Sequence, residues 1–372
     1  MKIKNWGAFA FIGGYHLLIL LLLPWFILHF SWSAVAFFLV TYIIGGLSIT
    51  AGYHRLFSHK TYSASPVYEW LILIGSTLAV QWTALVWAHD HRLHHKHVDT
   101  DKDPYCIKKG FWYAHMLWLF VDKREFDPGI VPDLMKNPRV MFQEKYYLPL
   151  MVVTNLAVIL LACLFMHPVT ALFSAFLLRV FAIHHSTWFI NSLAHTWGSK
   201  TYVRELSAMD NAVLALLTFG EGYHNFHHAF ASDYRNGVRW WHFDPTKWLL
   251  MISARLGLVS NLRKVNRLRL QQALLNKDKN LFLKHLSRVQ DETAQEIGQK
   301  LEELASEFEA QSVALSRRYK EFKQATADKR DFLRIEIRRQ KRELRATWKA
   351  WIHLTRLTAS RYGLDCDHAA EA

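Results

Sequence analysis

The chain has 372 residues, 51% of them hydrophobic and 20% charged, with 45 Lys and Arg against 31 Asp and Glu for a formal net charge of +14. The average hides two unlike parts: runs such as HLLILLLLPWFILHF and YLPLMVVTNLAVILLACLFM fill the first two hundred residues, whereas the residues after 262 are polar and densely charged. One uniform globular domain is therefore excluded in favour of a membrane-embedded part (1–261) joined to a soluble tail (262–372). The aromatic content, 15 Trp, 14 Tyr and 24 Phe, excludes disorder in the first part. Cys106, Cys163 and Cys366 are too few and too scattered for a disulfide framework or a thiolate metal site, which leaves the 21 histidines as the anomaly.

In chain order, residues 7–30 and 32–53 are two apolar stretches of spanning length that read as a helical hairpin. Lys2 and Lys4 precede it, Arg55 and Lys60 follow it, and its turn carries no cation, so both of its ends are expected in the cytoplasm. A second hairpin, 147–166 and 170–192, turns at His167-Pro168. Lys136, Arg139 and Lys145 before it, and Lys200 and Arg204 after it, place its ends on the same side. The expectation is thus a multi-pass, all-α membrane protein of four helices in two hairpins, with both termini cytoplasmic. Residues 66–88 form a fifth apolar stretch. Were it to cross, residues 54–59 and 89–95 would lie on opposite sides of about 30 Å of hydrocarbon, so it is read as a helix lying at or dipping into the interface.

Those residues matter because histidines cluster in four places: HRLFSH (His54, His59), HDHRLHH (His89, His91, His94, His95), NSLAH (Asn191, His195) and GEGYHNFHHAF (His224, His227, His228). Each flanks an apolar helix on the deduced cytoplasmic side. In each H-x-x-H-H group the i, i+3, i+4 spacing predicts three imidazoles on one helix face within reach of a common centre. Asn191 and His195, at i and i+4, are expected to share a face. His54 and His59, five apart, imply that the helix ends between them. With His89 set aside, nine imidazoles suit two metals of four to five ligands each. The membrane setting, with no thiolates and no H-E-x-x-H helix, favours redox iron over hydrolytic zinc. His16, His29, His115, His167 and His242 read as ordinary hydrogen-bonded core or interface residues.

Together and in this order, HRLFSH, HDHRLHH, NSLAH and GEGYHNFHH resemble the histidine boxes of membrane fatty acyl desaturases of the stearoyl-CoA (delta-9) type, over roughly residues 10–260. The resemblance implies a desaturase fold with a cytoplasmic histidine-box cap and two iron ions. Their ligands would be His54, His59, His91, His94, His95, His195, His224, His227 and His228, with Asn191 acting through water. O2 would be the co-substrate, and the product a cis double bond in a saturated C16 to C18 acyl-CoA. It also implies a substrate tunnel: Gln81, Trp87, Thr187 and Trp188 at a bend near the metals, Tyr42 closing the far end, and Gly46 leaving room for the chain. Chemistry on an unactivated methylene agrees with an oxidising metal, because such a carbon offers no acidic proton or polar handle.

Some features depart from the family. His89 stands where animal acyl-CoA desaturases carry an Arg thought to contact the thioester carrier, which keeps an acyl-lipid substrate as an alternative. No fused haem box of HPGG type occurs, since His167 is followed by Pro-Val-Thr, so a separate ferredoxin-type or cytochrome b5-type donor with its reductase is implied. Two rival readings stand beside desaturation, a histidine-box hydroxylase and a non-catalytic membrane metal scaffold. Arg179, inside an apolar stretch, predicts a paired or functional role. In the tail, Ile297, Leu301, Leu304, Phe308 and Leu315 follow a 3-4 spacing that signals amphipathic helix or coiled coil. In KRDFLRIEIRRQKRELRATWKAW, Ile335, Leu344, Trp348 and Trp351 interleave with cations. A hairpin packed on itself, anionic-lipid binding, docking of an acidic donor and self-association are the readings of this tail. Nucleic acid is not among them.

Overall fold

The computed structural model describes residues 3–121, 125–289 and 291–364; Cys366 lies outside the described residues. The chain divides into two units, Met1–Lys200 with Glu205–Lys264, and Thr201–Arg204 with Val265 onward.

The first unit is an all-α integral membrane fold. Among the described residues four helices are long and apolar enough to cross a bilayer: α1 Trp6–Leu28, α2 Trp32–Ser58, α5 Pro138–Cys163 and α6 Pro168–His195, the bent pair α3 (Pro66–Ala79) and α4 (Ala84–His97) falling between them. Their outer faces keep large apolar side chains exposed, such as Leu20, Leu21, Leu28, Leu148, Val153 and Leu160, which lipid tolerates and water does not. Each start carries a local stop signal for the preceding chain. Asn5 and Ser31 accept from Ala8 N–H (3.1 Å) and Ala34 N–H (3.2 Å), and Pro138 and Pro168 fill first-turn positions behind Asn137 and His167.

Helix limits differ from the apolar runs because hydrogen bonding continues after hydropathy ends. The second helix runs on to Ser58 through a π-helical stretch, Ser48–Ser58, whose residues are all buried in protein. The third spanning helix already begins at Pro138, with non-helical angles at Tyr146 next to Pro149, which lacks the N–H that would bond back to Lys145. The fourth continues to His195 by tightening into a 3-10 turn, Leu193–His195.

The stretch expected as one interfacial helix is two, α3 Pro66–Ala79 and α4 Ala84–His97, bent by 82°. Val80 (φ 53°) and Trp82 (φ 71°) take left-handed angles at the break. Backbone groups freed there would be costly if unpaired beside lipid, and those of Ala79, Val80, Trp82 and Ala84 find side-chain partners. His184 Nε2 meets Ala79 O (3.0 Å) and Val80 O (3.1 Å). Trp82 N–H donates to Tyr147 Oη (3.0 Å), Ala84 N–H to Gln143 Oε1 (2.9 Å), and Tyr53 Oη–H to Trp82 O (3.0 Å). The bend turns α4 back so that its histidines meet those of α2.

Close helix contact secures this arrangement. A Cβ on Gly52 of α2 would fall 1.8 Å from Ile72 Cγ2 of α3. Arg179 on α6 is fully buried and donates to Asn155 Oδ1 on α5, whose amide also donates to Thr77 O (3.1 Å), so the charge inside the span has a polar partner. A short antiparallel pairing, β1 Ser63–Ala64 with β2 Val259–Ser260, ties the start of α3 to the end of the unit.

The second unit contains α8 Arg267–Leu286, α9 Glu292–Gln324 and α10 Ala327–Tyr362 among its described residues. The last two form an antiparallel hairpin: Phe308 packs on Trp348 (5.5 Å between rings) and Thr347 Oγ1–H donates to Glu307 Oε1 (3.2 Å). Leu301, Leu304, Phe308, Leu315, Leu344, Trp348 and Trp351 are buried, Ile297 is half-buried, and Ile335 is exposed, on the far side of α10 from the apolar seam.

Gly52→Ala would improve helix propensity in an open helix, yet here the methyl must displace Ile72. The variant is expected to lose about 1–3 kcal/mol, seen as a lower thermal midpoint in detergent, and Gly52→Ala combined with Ile72→Ala should recover part of it.

Candidate metal centre

The nine boxed histidines converge in two neighbouring groups. His54, His59, His91, His95 and His227 form one; His94, His195, His224 and His228 form the other, and within each group the donor nitrogens all lie within 4.8 Å of one another. Every imidazole presents Nε2 to its neighbours: His54 to His227 (3.1 Å), His59 to His91 (2.8 Å) and His227 to His95 (2.9 Å) in the first. In the second, His94 faces His228 (3.3 Å) and His224 faces His195 (3.0 Å) and His228 (3.1 Å). Two nitrogens held at about 2.1 Å from one ion lie about 3.0 Å apart when cis in an octahedron and about 3.4 Å apart in a tetrahedron. The observed separations of 2.8–3.3 Å are compatible with ligands to a common ion. The groups adjoin, with the rings of His95 and His228 stacked at 4.3 Å.

Winding explains which histidine joins which group. Each H-x-x-H-H triplet is split rather than shared: His91 and His95 go to the first group and His94 to the second, while His224 and His228 of α7 (His224–Ala229) go to the second and His227 to the first. At 3.6 residues per turn i and i+4 nearly coincide, but i+3 and i+4 diverge by about 100°, so one helix can serve two centres. His54 and His59 meet because the helix does not end between them. The π winding, closed by His59 N–H to His54 O (3.1 Å), brings the fifth residue round to the same side. Asn191 is half-buried, and its side chain makes no hydrogen bond among the described residues; the 3-10 turn after Ser192 breaks the i, i+4 register with His195.

With Nε2 turned inward, Nδ1 is free to be oriented from outside. His91 Nδ1 lies 3.2 Å from Tyr105 Oη and His94 Nδ1 lies 2.9 Å from Asp103 Oδ1. His54 Nδ1 lies 2.8 Å from Glu221 Oε2, a close polar contact outside good hydrogen-bond angles. Glu221 is held in turn by Arg55, whose buried guanidinium donates to Glu221 Oε1 (2.9 and 3.1 Å), Asp244 Oδ1 (2.9 Å) and Tyr234 O (2.7 Å). Burial opposes charge on the Glu221 carboxyl, but His54 and Arg55 outweigh it and hold it below the usual carboxylate range. Burial, followed by neighbouring imidazoles, pushes His59, His224, His227 and His228 well below the ordinary histidine range. They are neutral at pH 7, the form that can donate to a metal. A set of neutral nitrogen donors with no thiolate fits a borderline first-row metal.

The tunnel candidates fall into three places. Trp87 stacks on His91 (4.9 Å), and Gln81 joins it to Thr187, accepting from Trp87 Nε1–H (3.3 Å) and donating to Thr187 Oγ1 (2.7 Å). Trp188 is buried against His184, His185 and His115. Tyr42 Oη lies 2.9 Å from Ser186 Oγ and donates to Leu217 O (2.5 Å). The space at Gly46 is filled by Phe219, whose Cε2 would lie 2.2 Å from an added Cβ. His89 is turned inward, Nδ1 against Asp90 (2.9 Å) and Nε2 accepting from Asp127 N–H (3.1 Å).

The histidines read from the sequence as core or interface residues are bonded or stacked: His29 meets Trp25 O (3.0 Å), His167 caps Val169 N–H (3.2 Å), and His242 stacks on Tyr223 (4.2 Å). His16 and His115 flank His185 in a string, each at 3.0 Å. Sequence reading missed Glu221, Tyr105, Asp103 and His184; Glu221, inside the GEGYHNFHH run, is the one whose place gave a signal.

Arg55→Met would strand Glu221 and Asp244 in a buried site. The expected loss is about 3–5 kcal/mol, measured by denaturant unfolding in micelles; a loss under about 1 kcal/mol would contradict this role for the ion network.

A family model described as fatty acid desaturase matches residues 30–254. The chain is 40% identical over 237 residues to a probable acyl-CoA desaturase of Schizosaccharomyces pombe, covering 62% of this chain and 49% of that protein. It is 36% identical over 261 residues to an sn-2 palmitoyl-lipid 9-desaturase of Nostoc sp. (68% and 88%), and 34% identical over 245 residues to a stearoyl-CoA desaturase of Sus scrofa (61% and 65%). The match thus spans about half the length of the fission-yeast relative and most of the Nostoc one.

Proposed function

The chain belongs to the fatty acid desaturase family, and from that premise we propose that it is an O2-dependent acyl-CoA desaturase forming a cis double bond at C9 of saturated C16 to C18 chains. Support comes from the two buried, all-imidazole groups side by side. Two iron ions would be held, one by His54, His59, His91, His95 and His227, the other by His94, His195, His224 and His228 with Asn191 acting through water. Bound there, the iron pair supplies the oxidising power, drawn from O2 and two external electrons, that an unactivated methylene requires. In sum, O2, two electrons, two protons and the two hydrogens removed from the chain become two waters.

The protein's own task is position. A methylene chain offers nothing to hydrogen-bond, so shape alone must register the reacting carbons. Trp87, rigid against His91 and tied through Gln81 to Thr187, forms the wall nearest the five-histidine group, and buried Trp188 continues it along α6. Tyr42, locked by two hydrogen bonds beside Gly46 and Phe219, is the stop at the far end. The cation pattern at the helix ends supports a cytoplasmic metal site and cytoplasmic termini. Electrons come from a separate ferredoxin-type or b5-type donor. Residues 1–261 are the desaturase domain, and 262–372 a charged helical extension suited to self-association.

An acyl-lipid substrate is the second reading, supported by His89, turned inward against Asp90 and the Asp127 N–H where the resemblance implies a carrier-contacting Arg, and by the high coverage of the Nostoc lipid desaturase. Expression in a desaturase-deficient host with a compatible donor should yield new cis-9 monoenes that vanish with His227→Ala. Failure to form any unsaturation would overturn the proposal, and pulse-labelled acyl-CoA against intact lipid separates the two readings. Tyr42→Ala should shift preference from C16 toward longer chains; an unchanged profile removes Tyr42 from the tunnel.

A further inference from the structure

In the four-histidine group, His195 is oriented differently from its neighbour His94. Its Nδ1 meets not a carboxylate but Ser207 Oγ, at 2.6 Å. Ser207 in turn sits on Asp99: its Oγ is 2.5 Å from Oδ1, and its backbone N–H donates to Oδ2 at 2.8 Å. Asp99 follows the end of α4 in a left-handed conformation (φ 62°), and its own N–H donates to Asp103 Oδ2 (3.3 Å), the carboxylate that orients His94. One turn, Asp99 to Asp103, therefore stands behind two of the four imidazoles.

Donor order in this chain of contacts is forced. Ser207 gives both its backbone N–H and its single hydroxyl proton to the Asp99 carboxylate, so it turns a lone pair to His195. His195 must then carry its proton on Nδ1, which leaves the Nε2 lone pair aimed at the group's centre, 3.0 Å from His224 Nε2. The opposite tautomer would set an Nε2 proton against the ion and a bare Nδ1 against Ser207, whose proton is already used. Asp99 and Ser207 touch no imidazole of the five-histidine group, whose outer contacts are Glu221 and Tyr105, the latter with its own N–H on Asp103 Oδ1 (3.2 Å).

We propose that Asp99, acting through Ser207, is a positioning pair that fixes the donor tautomer of His195 and thereby secures the metal of the four-histidine position in particular. The inference rests on the two-metal reading above. With four imidazoles instead of five, this position depends more on each ligand, and a second contact behind one of them is worth about 10–100-fold in metal affinity.

The test is metal binding, not turnover. Full-length protein in detergent, stripped of metal, is titrated with Co2+ and followed by its visible absorption, with His227→Ala marking the step that belongs to the five-histidine group. Ser207→Ala and Asp99→Asn should weaken the second step about 10–100-fold and leave the marked step unchanged, while Ser207→Thr, which keeps the hydroxyl, should restore it. Equal weakening of both steps would mean a general loosening and overturn the proposal, as would wild-type affinity in Ser207→Ala. A wild-type protein that binds no Co2+ would instead remove the metal reading on which the proposal stands.

Discussion

The histidine boxes come from opposite ends of the membrane unit, and the buried Arg55 guanidinium is what joins them. It extends from the π-helical end of α2, next to His54, and grips Glu221 and Asp244 in the segment that carries His224, His227 and His228. Glu221 faces His54 and accepts from Asn236 (2.5 Å), and Asp244 collects the N–H groups of Asn236 and Gly237 (2.9 and 3.0 Å). Gly220 makes room for this junction: at φ 104° it lies so close that a Cβ would fall 2.6 Å from Asp244 Oδ1. Isolated charges at this depth would be costly. Two carboxylates around one five-donor guanidinium, with backbone amides completing the set, offset that cost and fix the register of the boxes.

A membrane imposes the second constraint, that every backbone group freed from a helix must be satisfied by protein. The break between α3 and α4 is where this is felt. Without it α4 would carry His91, His94 and His95 away from His54 and His59; with it, carbonyls and amides are exposed in an apolar layer. His184, Tyr147, Gln143 and Tyr53 take them up, side chains contributed by α6, α5 and α2. The bend is therefore a property of four packed helices and not of the local sequence Val80-Gln81-Trp82-Thr83.

That difference decides what could be read from the sequence. Spans were legible because lipid exposure demands long apolar runs, and the histidine boxes because four groups of one rare residue type at helical spacing leave a plain mark. Their partition into five and four was not, since i, i+3 and i+4 look like one face until neighbouring helices supply a second centre. The π winding of Ser48–Ser58 was illegible for a similar reason: it preserves helical composition while changing which residues meet, so a five-residue spacing looked like a helix end. At Gly46 the sequence offered an open space, but Phe219, distant in the chain, occupies it.

All nine inner donors are imidazole nitrogens, so two cations held there, as proposed, would have no anionic ligand in direct contact to balance their charge. The carboxylates stand further out, Glu221 behind His54 and Asp103 behind His94 by one contact, and Asp99 behind His195 by two, through Ser207. Placed there, they would compensate the charge of bound metal through the imidazole rings and favour the Nδ1 proton on those rings, while keeping carboxylates out of the space between the donor nitrogens. An inner carboxylate would bind cations more tightly, but it would also bring water and hydrogen bonding to a site where the proposed reaction on a hydrocarbon chain needs both excluded. Carboxylates removed to the outer layer would thus reconcile the needs of a cationic centre with those of the apolar substrate proposed for it.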